Sequence, residues 1–235
     1  SLIDKFLNFS VDCRLVQPES KFKFVEGLDN HAGFDFYNVS FSPFHGTGFL
    51  IKSLMDKFLA LLFILISLPI IILFSILILV EDGFPILFKQ KRTGWDGKSF
   101  NIFKLRSIKN TMGGSESTQV KAGDSRLLKV GKIIRRLSID ELPQFFNVLK
   151  GDMSIVGPRP LFDEDTILFN ESYMRRLNVL PGITGLLQIN ERNTDEFSIW
   201  YKYDIEYIEN WSLYLDLKII FQTPFSLFKT KAKGL

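Results

Sequence analysis

Residues 58–80 read FLALLFILISLPIIILFSILILV, 23 consecutive positions without a charged side chain. At 1.5 Å per residue a helix of this length is about 35 Å long, enough to cross a bilayer core of about 30 Å. A buried helix in a water-soluble core is the alternative, but runs this long are rare there. A cleaved signal peptide is excluded by the position of the run and by the lack of a small-residue cleavage site. Pro69 is the twelfth residue of the 23, at the centre. Proline removes one backbone donor and clashes with the carbonyl four residues back, so a kink or break is expected there. Ser67 is placed to bond a carbonyl freed nearby. Lys52 and Lys57 precede the run, and Lys89, Lys91 and Arg92 follow it. A simple span predicts charge asymmetry, whereas a re-entrant segment that returns to the same face predicts symmetry. The re-entrant reading is therefore favoured.

The 235 residues leave room for one domain of moderate size beside this segment. With 46% hydrophobic residues, 24 of all positions being Phe, disorder is excluded for the bulk of the chain. A single Cys rules out an intramolecular disulfide, so nothing points to an oxidising compartment. His31 and His45 are the two histidines, and the last 190 residues contain neither His nor Cys. A His-dependent triad, a Cys nucleophile and a Cys/His zinc site are thereby excluded from that part. Its chemistry must come from carboxylates, hydroxyls, amines and guanidinium groups. The net charge of +3 hides a division: residues 81–150 carry 14 basic and 7 acidic groups, whereas residues 151–235 carry 9 and 12. A basic excess directly after an apolar segment suits phosphate ligands or anionic headgroups; nucleic acid is the weaker option and is not expected as a partner.

The coarse organisation is mainly α with a small β-hairpin, an α+β class. Three regions are expected: 1–50 as an N-terminal extension or the remnant of an upstream domain, 51–81 as the membrane segment, and 82–235 as the catalytic domain. The chain begins with Ser rather than Met, and the natural protein is expected to be longer. VDCRLVQP (11–18) fits a short strand, and 27–48 reads as loop from its Gly, Asn and Ser content. Ile86–Lys91 and Ser99–Leu105 form the arms of the hairpin, with Gly94-Trp95-Asp96-Gly97 as its turn. Thr111–Gly123 is a polar loop. Leu127, Val130, Ile134 and Leu137 make one stripe of a helix over 124–137. Further helices are expected over 141–150, ended by Gly151, and over 162–178. Trp211–Phe228, interrupted by Pro224, is either core or a set of amphipathic helices lying in the membrane interface.

The chemistry concentrates in RRLSIDELPQ (135–144) and GDMSIVGPRPL (151–161). Ser138 and Glu141 fit a capping box, which would be a structural cap and nothing more. The same geometry places Asp140 at a helix N-terminus, beside Arg135 and Arg136, where its carboxylate would stay ionised. An ionised Asp can attack phosphorus to give an acyl phosphate, and the adjacent Glu141 can share a magnesium ion with a diphosphate. In Gly157-Pro158-Arg159-Pro160 two prolines stiffen the support of a guanidinium suited to forked phosphate recognition; a structural turn with a surface ion pair is the plainer reading. Arg106 is either a further anion ligand or a solvated charge at a strand end. Gly182-Ile183-Thr184-Gly185, ahead of Gln188, can lie against a nucleotide or sugar, or be a turn. Asp204 is otherwise an exposed helix residue.

These motifs together resemble the monotopic polyprenyl-phosphate phosphoglycosyl transferases, the bacterial sugar transferase family. The similarity runs from about Lys52 to Lys231 and includes GFPILFKQKRTG, FNIFKLRS, GKIIRRLSIDELPQFFNVLKGDMSIVGPRPL and LPGITGLLQIN. The resemblance implies transfer of a sugar 1-phosphate, a hexose phosphate being the leaning, from a UDP-sugar to undecaprenyl phosphate, with release of UMP. It implies Asp140 as covalent nucleophile, Asp140 and Glu141 as the magnesium-holding pair, and Arg106, Arg135, Pro158, Arg159 and Asp204 around the substrate phosphates. It also implies a sugar or nucleotide loop with Gly182, Thr184, Gly185 and Gln188, and a membrane helix broken at Ser67 and Pro69. Membrane lipids are further partners, a homo-oligomer is admitted, and the expected location is the cytoplasmic face of the bacterial inner membrane. A non-catalytic membrane-interface partner of a polysaccharide assembly system, or a lipid-diphosphate phosphatase, would share the apolar segment but not need a UDP-sugar.

Overall fold

The computed structural model describes residues 13–16, 28–31, 34–40, 46–110, 124–162, 165, 173–191, 194 and 196–229. The loop expected over 111–123 and most of the helix expected over 162–178 lie outside them. Near the N-terminus, β1 (Cys13–Val16), β2 (Leu28–His31) and β3 (Phe34–Ser40) form an antiparallel sheet in the order β1-β3-β2. The loop reading of 27–48 is corrected by these strands. The reason is physical: in-phase alternation is confined to Phe34-Asp35-Phe36, and β3 pairs with a strand 20 or more residues earlier, a contact that local turn residues do not report.

The apolar segment lies within α1 (Gly46–Asp82), a single helix of 37 residues that begins five positions before the expected boundary. The helix is continuous through Pro69, so the expected break is not an interruption of the helix. Ser67 Oγ donates to Ile64 O at 3.4 Å, one carbonyl short of the Leu65 carbonyl that Pro69 leaves without its donor. Most of its surface is exposed and apolar, including Leu54, Phe58, Leu65, Ile66 and Val80. One narrow stripe is buried: Lys52, Asp56, Ala60, Ile64, Ser67 and Ile78, spaced by three, four or a sum of such steps. That stripe packs along the rest of the domain.

The expected hairpin is present as β4 (Leu87–Thr93) and β5 (Ser99–Leu105), in a register from Leu87 opposite Leu105 to Thr93 opposite Ser99. After it come α2 (Lys129–Arg136), a 3₁₀ turn (Ile139–Gln144) and α3 (Phe145–Lys150). Of the expected stripe, Leu127, Val130 and Ile134 are buried, but Leu137 is half exposed because α2 stops at Arg136. Gly151 closes α3 in the left-handed conformation at φ 85°, which a residue with a Cβ rarely adopts. Two short parallel strands, β6 (Ser154–Val156) and β7 (Gly182–Thr184), then flank a 3₁₀ turn (Tyr173–Asn178). The chain ends in α4 (Leu186–Asn190), α5 (Phe197–Glu209) and α6 (Leu213–Lys229). Pro224 lies inside α6 rather than interrupting it.

Two apolar clusters hold this together. The larger joins Ala60 of α1 to Val148, Met153, Ile155, Val156, Tyr207 and Ile219. The smaller joins Ile78, near the end of α1, to Leu105, Leu128, Val130 and Ile134. Polar groups pin the same contacts. Lys52 Nζ lies 2.7 Å from Asp216 Oδ2 and 3.3 Å from Asp56 Oδ2. Ser154 Oγ donates to Asp56 Oδ2 at 2.7 Å, and Trp211 Nε1 to Asp216 Oδ2 at 3.2 Å. Two buried carboxylates therefore depend on one ammonium. Removing one partner of a buried ion pair costs about 3–5 kcal/mol, so Lys52→Met should destabilise the protein by about that amount in chemical unfolding in mild detergent. A loss below about 1 kcal/mol would contradict the assignment.

Candidate active site

The two motifs picked out by composition meet in one cavity of about 160 Å³. Its lining includes Ser138 just before the 3₁₀ turn and Glu141 within it, Lys104 from β5, Arg92 from β4, Arg159 and Pro160 after β6, Gly182 and Thr184 from β7, and Gln188 from α4. Asp140 is not itself part of the lining; it is buried, and the lining residues Ser138 and Glu141 flank it in the chain. Of the expected site residues, Glu141, Arg159, Gly182, Thr184 and Gln188 line the cavity, and Pro158 and Gly185 are their buried neighbours.

The chain converges this way because β6 and β7 approach backbone to backbone. Gly157 N donates to Thr184 O at 2.9 Å, and Gly182 N donates to Pro158 O at 2.8 Å. A Cβ on Gly157 would run into Leu180 O, and one on Gly185 into Gly157 O. The glycines are thus required for close approach, which sets Val156 opposite Thr184 and carries the chain on to Arg159 at the cavity. On the other side of the cavity, Asn147 ties α3 to the hairpin: its Oδ1 accepts from Phe103 N at 3.0 Å and its Nδ2 donates to Asn101 O at 2.7 Å. That link brings Lys104 of β5 to Glu141, with Nζ 3.1 Å from Oε1.

The capping box is not formed. Ser138 sits in the left-handed region at φ 56° and makes no side-chain cap, and Glu141 is directed to Lys104 instead. Asp140 therefore lies in a 3₁₀ turn, not at the head of an α-helix. Its carboxyl is pushed up to about 6, first by burial, with Lys104 pulling it down, Glu141 raising it and Arg135 pulling it down. The expectation of a carboxylate held ionised by a helix dipole is corrected accordingly: burial wins, and the nearby cations limit the rise.

Arg106, Asp204, Ser67 and Pro69 are not brought to the cavity. The Arg106 guanidinium is saturated at the end of α1. It pairs with Asp82 and donates to Pro85 O at 2.6 Å, Gly83 O at 2.8 Å, Asp82 O at 3.1 Å and Ile108 O at 3.3 Å. A guanidinium has five N–H donors, and these contacts engage all of them. Asp204 forms a buried ion pair with Arg176 at 2.9 Å. Arg176 Nη2 also donates to Arg159 O at 2.8 Å, so Asp204 supports the arginine loop from behind. Arg135 is close enough to Asp140 for its charge to lower that carboxyl, and its Nη1 lies 3.5 Å from Ser107 Oγ. Two cationic cavity residues escaped the sequence reading, Lys104 and Arg92. Arg92 stacks over the Phe162 ring at 3.4 Å and donates to Gln90 Oε1 at 2.7 Å. Arg92 ends the run Lys89-Gln90-Lys91-Arg92 and Lys104 is the one basic residue of its arm, so neither stood out by spacing.

Magnesium usually takes one or two protein carboxylates and completes its shell with water and phosphate oxygens. The adjacent Asp140 and Glu141 fit that mode. Among the described residues no group of three or more His, Cys, Asp or Glu side chains is placed to hold a metal alone. The arrangement suits a cation that arrives with a phosphorylated substrate.

A long apolar helix fused to a small domain with a cation-rimmed cavity is the arrangement of a protein that can work on phosphorylated substrates at a membrane. The family model for bacterial sugar transferases matches residues 47–230, and the chain belongs to that family. It is 44% identical over 172 residues to the uncharacterised sugar transferase EpsL of Bacillus subtilis, covering 73% of this chain and 84% of that protein. It is 41% identical over 199 residues to the UDP-glucose:undecaprenyl-phosphate glucose-1-phosphate transferase of Escherichia coli, covering 81% of this chain and 43% of that protein. Against the UDP-N-acetylgalactosamine-undecaprenyl-phosphate N-acetylgalactosaminephosphotransferase of Aeromonas hydrophila it is 40% identical over 179 residues, 74% of this chain and 42% of that protein. The chain thus spans less than half the length of the latter two.

The Asp204 carboxyl, pushed up to about 6 by burial against the pull of Arg176, has a stability consequence. Its folded value exceeds the unfolded value of about 3.9, so its contribution is fully present below pH 4 and is lost as pH rises through about 6. Unfolding free energies of wild type and Asp204→Asn, compared at pH 4 and pH 7, should shift against the wild type by roughly 2–3 kcal/mol. A difference that does not change with pH would refute this.

Proposed function

We propose that the protein transfers a sugar 1-phosphate from a UDP-sugar to undecaprenyl phosphate, the opening step of a bacterial surface polysaccharide or glycoconjugate. The observation that carries this is the carboxylate pair Asp140–Glu141 at a cavity rimmed by Arg92, Lys104 and Arg159, in a chain of the sugar transferase family. The names of the relatives support the substrate pair: the Escherichia coli protein is a glucose-1-phosphate transferase and the Aeromonas protein an N-acetylgalactosaminephosphotransferase.

The reaction runs in two displacements. A carboxylate oxygen of Asp140 attacks the sugar-bearing phosphorus of the UDP-sugar. The bond from that phosphorus to the bridging oxygen breaks, and UMP leaves with the electron pair. An oxygen of the lipid phosphate then attacks the same phosphorus and displaces the Asp140 carboxylate, leaving a lipid-diphosphate-linked sugar. Arg159 offers a forked donor to the diphosphate, on a backbone fixed by Pro158, Pro160 and the Arg176 bond. Lys104 holds Glu141 beside the nucleophile and contributes positive charge where the phosphoryl group passes. Magnesium, held by Asp140 and Glu141, would neutralise diphosphate charge when bound.

The finer membrane reading is that α1 is re-entrant and the domain rests on the cytoplasmic face of the inner membrane. Two observations support it. Both ends of α1 contact the same body, Lys52 and Asp56 through Asp216 and Ser154, and Asp82 through Arg106. Attachment of both ends to one body favours a helix that does not carry its ends to opposite sides of a bilayer. In addition, α6 exposes Tyr214, Leu217, Phe221 and Phe225 at spacings of three and four, an apolar face suited to the membrane interface.

The test is UMP release from a panel of UDP-hexoses in the presence of undecaprenyl phosphate and magnesium. Asp140→Asn should abolish release and leave no sugar phosphate covalently attached to the protein. Retained turnover would sink the nucleophile assignment. Arg159→Lys, which replaces a fork with a point charge, should lower kcat/KM by about 10- to 100-fold.

A further inference from the structure

The head of α2 lacks a cap of its own. Leu128 precedes it and has no side-chain acceptor, yet the first N–H groups of a helix need partners. They find them 48 residues upstream. Glu81, the penultimate residue of α1, accepts from Lys129 N through Oε1 at 2.6 Å and from Val130 N through Oε2 at 3.0 Å. Both carboxylate oxygens are used, and the negative charge meets the positive end of the α2 dipole. The contact is braced on either side. Ile78 packs with Leu128, Val130 and Ile134, and a Cβ on Gly131 would collide with Ser107 O, so α2 sits directly on the chain leaving β5.

The other end of α2 carries Arg135, and the nucleophile follows five residues later. A helix of eight residues is a rod of about 12 Å, too short to absorb a displacement of its first turn before its last. We propose that Glu81 is a positioning residue for the transfer reaction: through α2 it sets Arg135 beside Asp140, and so fixes the nucleophile relative to the membrane helix. The proposal rests on the transferase reading above. Glu81 touches no reacting atom; it acts on the placement of groups that do.

The experiment uses the full chain in nanodiscs, with UMP release scaled by burst amplitude to active sites. The variants are Glu81→Ala, Glu81→Gln, Arg135→Ala and the doubles of each Glu81 variant with Arg135→Ala. Glu81→Ala should lower kcat about 10-fold with KM for the UDP-sugar within about twofold, and Glu81→Gln, which keeps one acceptor, should lose less. Because Glu81 acts through Arg135, each double variant should be no worse than its poorer single parent, within about twofold. Losses that multiply, or a Glu81→Ala enzyme with wild-type turnover per active site, overturn the proposal. If Glu81→Ala does not fold, the Glu81→Gln cycle decides by the same criterion. If the wild type releases no UMP from any UDP-sugar, the transferase reading fails, and amide exchange over 129–136 becomes the deciding measurement. Exchange at least about 10-fold faster in a Glu81 variant supports the clamp, and unchanged protection overturns it.

Discussion

The buried ammonium of Lys52 is the contact on which the arrangement depends. An isolated charge in that position would be strongly unfavourable, and so would each of the carboxylates around it. Together they are tolerable because the lone pairs are occupied. Asp216 receives Trp211 Nε1 and has Tyr207 Oη at 2.9 Å from Oδ1, while Asp56 receives Ser154 Oγ. Tyr207 Oη also lies 2.9 Å from Val156 O, so its single proton serves two acceptors. Burial and Asp216 push its phenol well above the ordinary range, which keeps that proton in place. The network joins α1 to β6, α5 and α6 at once. An apolar helix whose remaining surface is greasy would otherwise have little to fix its rotation, since hydrophobic contact is not directional. The polar stripe supplies the direction.

At its other end α1 is fixed by charge again, through Arg106 on Asp82 and Glu81 on the head of α2. Between these points Phe63 packs on Phe145, ring centroids 5.2 Å apart, directly beside the 3₁₀ turn that holds Asp140. The helix therefore acts as a beam with the catalytic segments attached along one side. This explains why a basic hairpin follows a membrane segment so closely in the chain. The arm that leaves the helix delivers Arg92 and returns with Lys104, and both reach the cavity within 25 residues of the helix end.

Much of this was readable in the residues, and what was not has physical reasons. The apolar run, the hairpin, the Gly151 stop and the pairing of Asp140–Glu141 with Arg159 each rest on local chemistry: hydropathy, turn residues, a left-handed position, and the elimination of His and Cys. The parallel β6–β7 pair was hidden, because three-residue strands carry no periodicity and their signature is two glycines that only tertiary contact makes necessary. Ser138 followed the capping-box pattern, but the pattern describes a competition that Lys104 won by drawing Glu141 away. Arg106 looked like an anion ligand because its sequence context is basic; five carbonyl and carboxylate partners, several of them more than 20 residues distant in sequence, could not be inferred from it. Asp204 looked exposed or substrate-facing for the same reason, since its partner Arg176 lies on another element.

In the proposed reaction, the depth of Asp140 is a compromise between two demands of a covalent phosphoryl intermediate. The nucleophile must be ionised to attack, and water must be kept from the acyl phosphate until the lipid phosphate arrives. Exclusion of water argues for burial, and burial raises the carboxyl, here to about 6. Lys104 and Arg135 pull in the opposite direction and favour the ionised form. Without those two charges the same burial would leave the group more heavily protonated and a poorer nucleophile. Full exposure would restore ionisation but open the intermediate to hydrolysis. Hairpin, α2 and membrane helix thus converge on one requirement: cationic side chains held close to a carboxylate that is itself kept out of water.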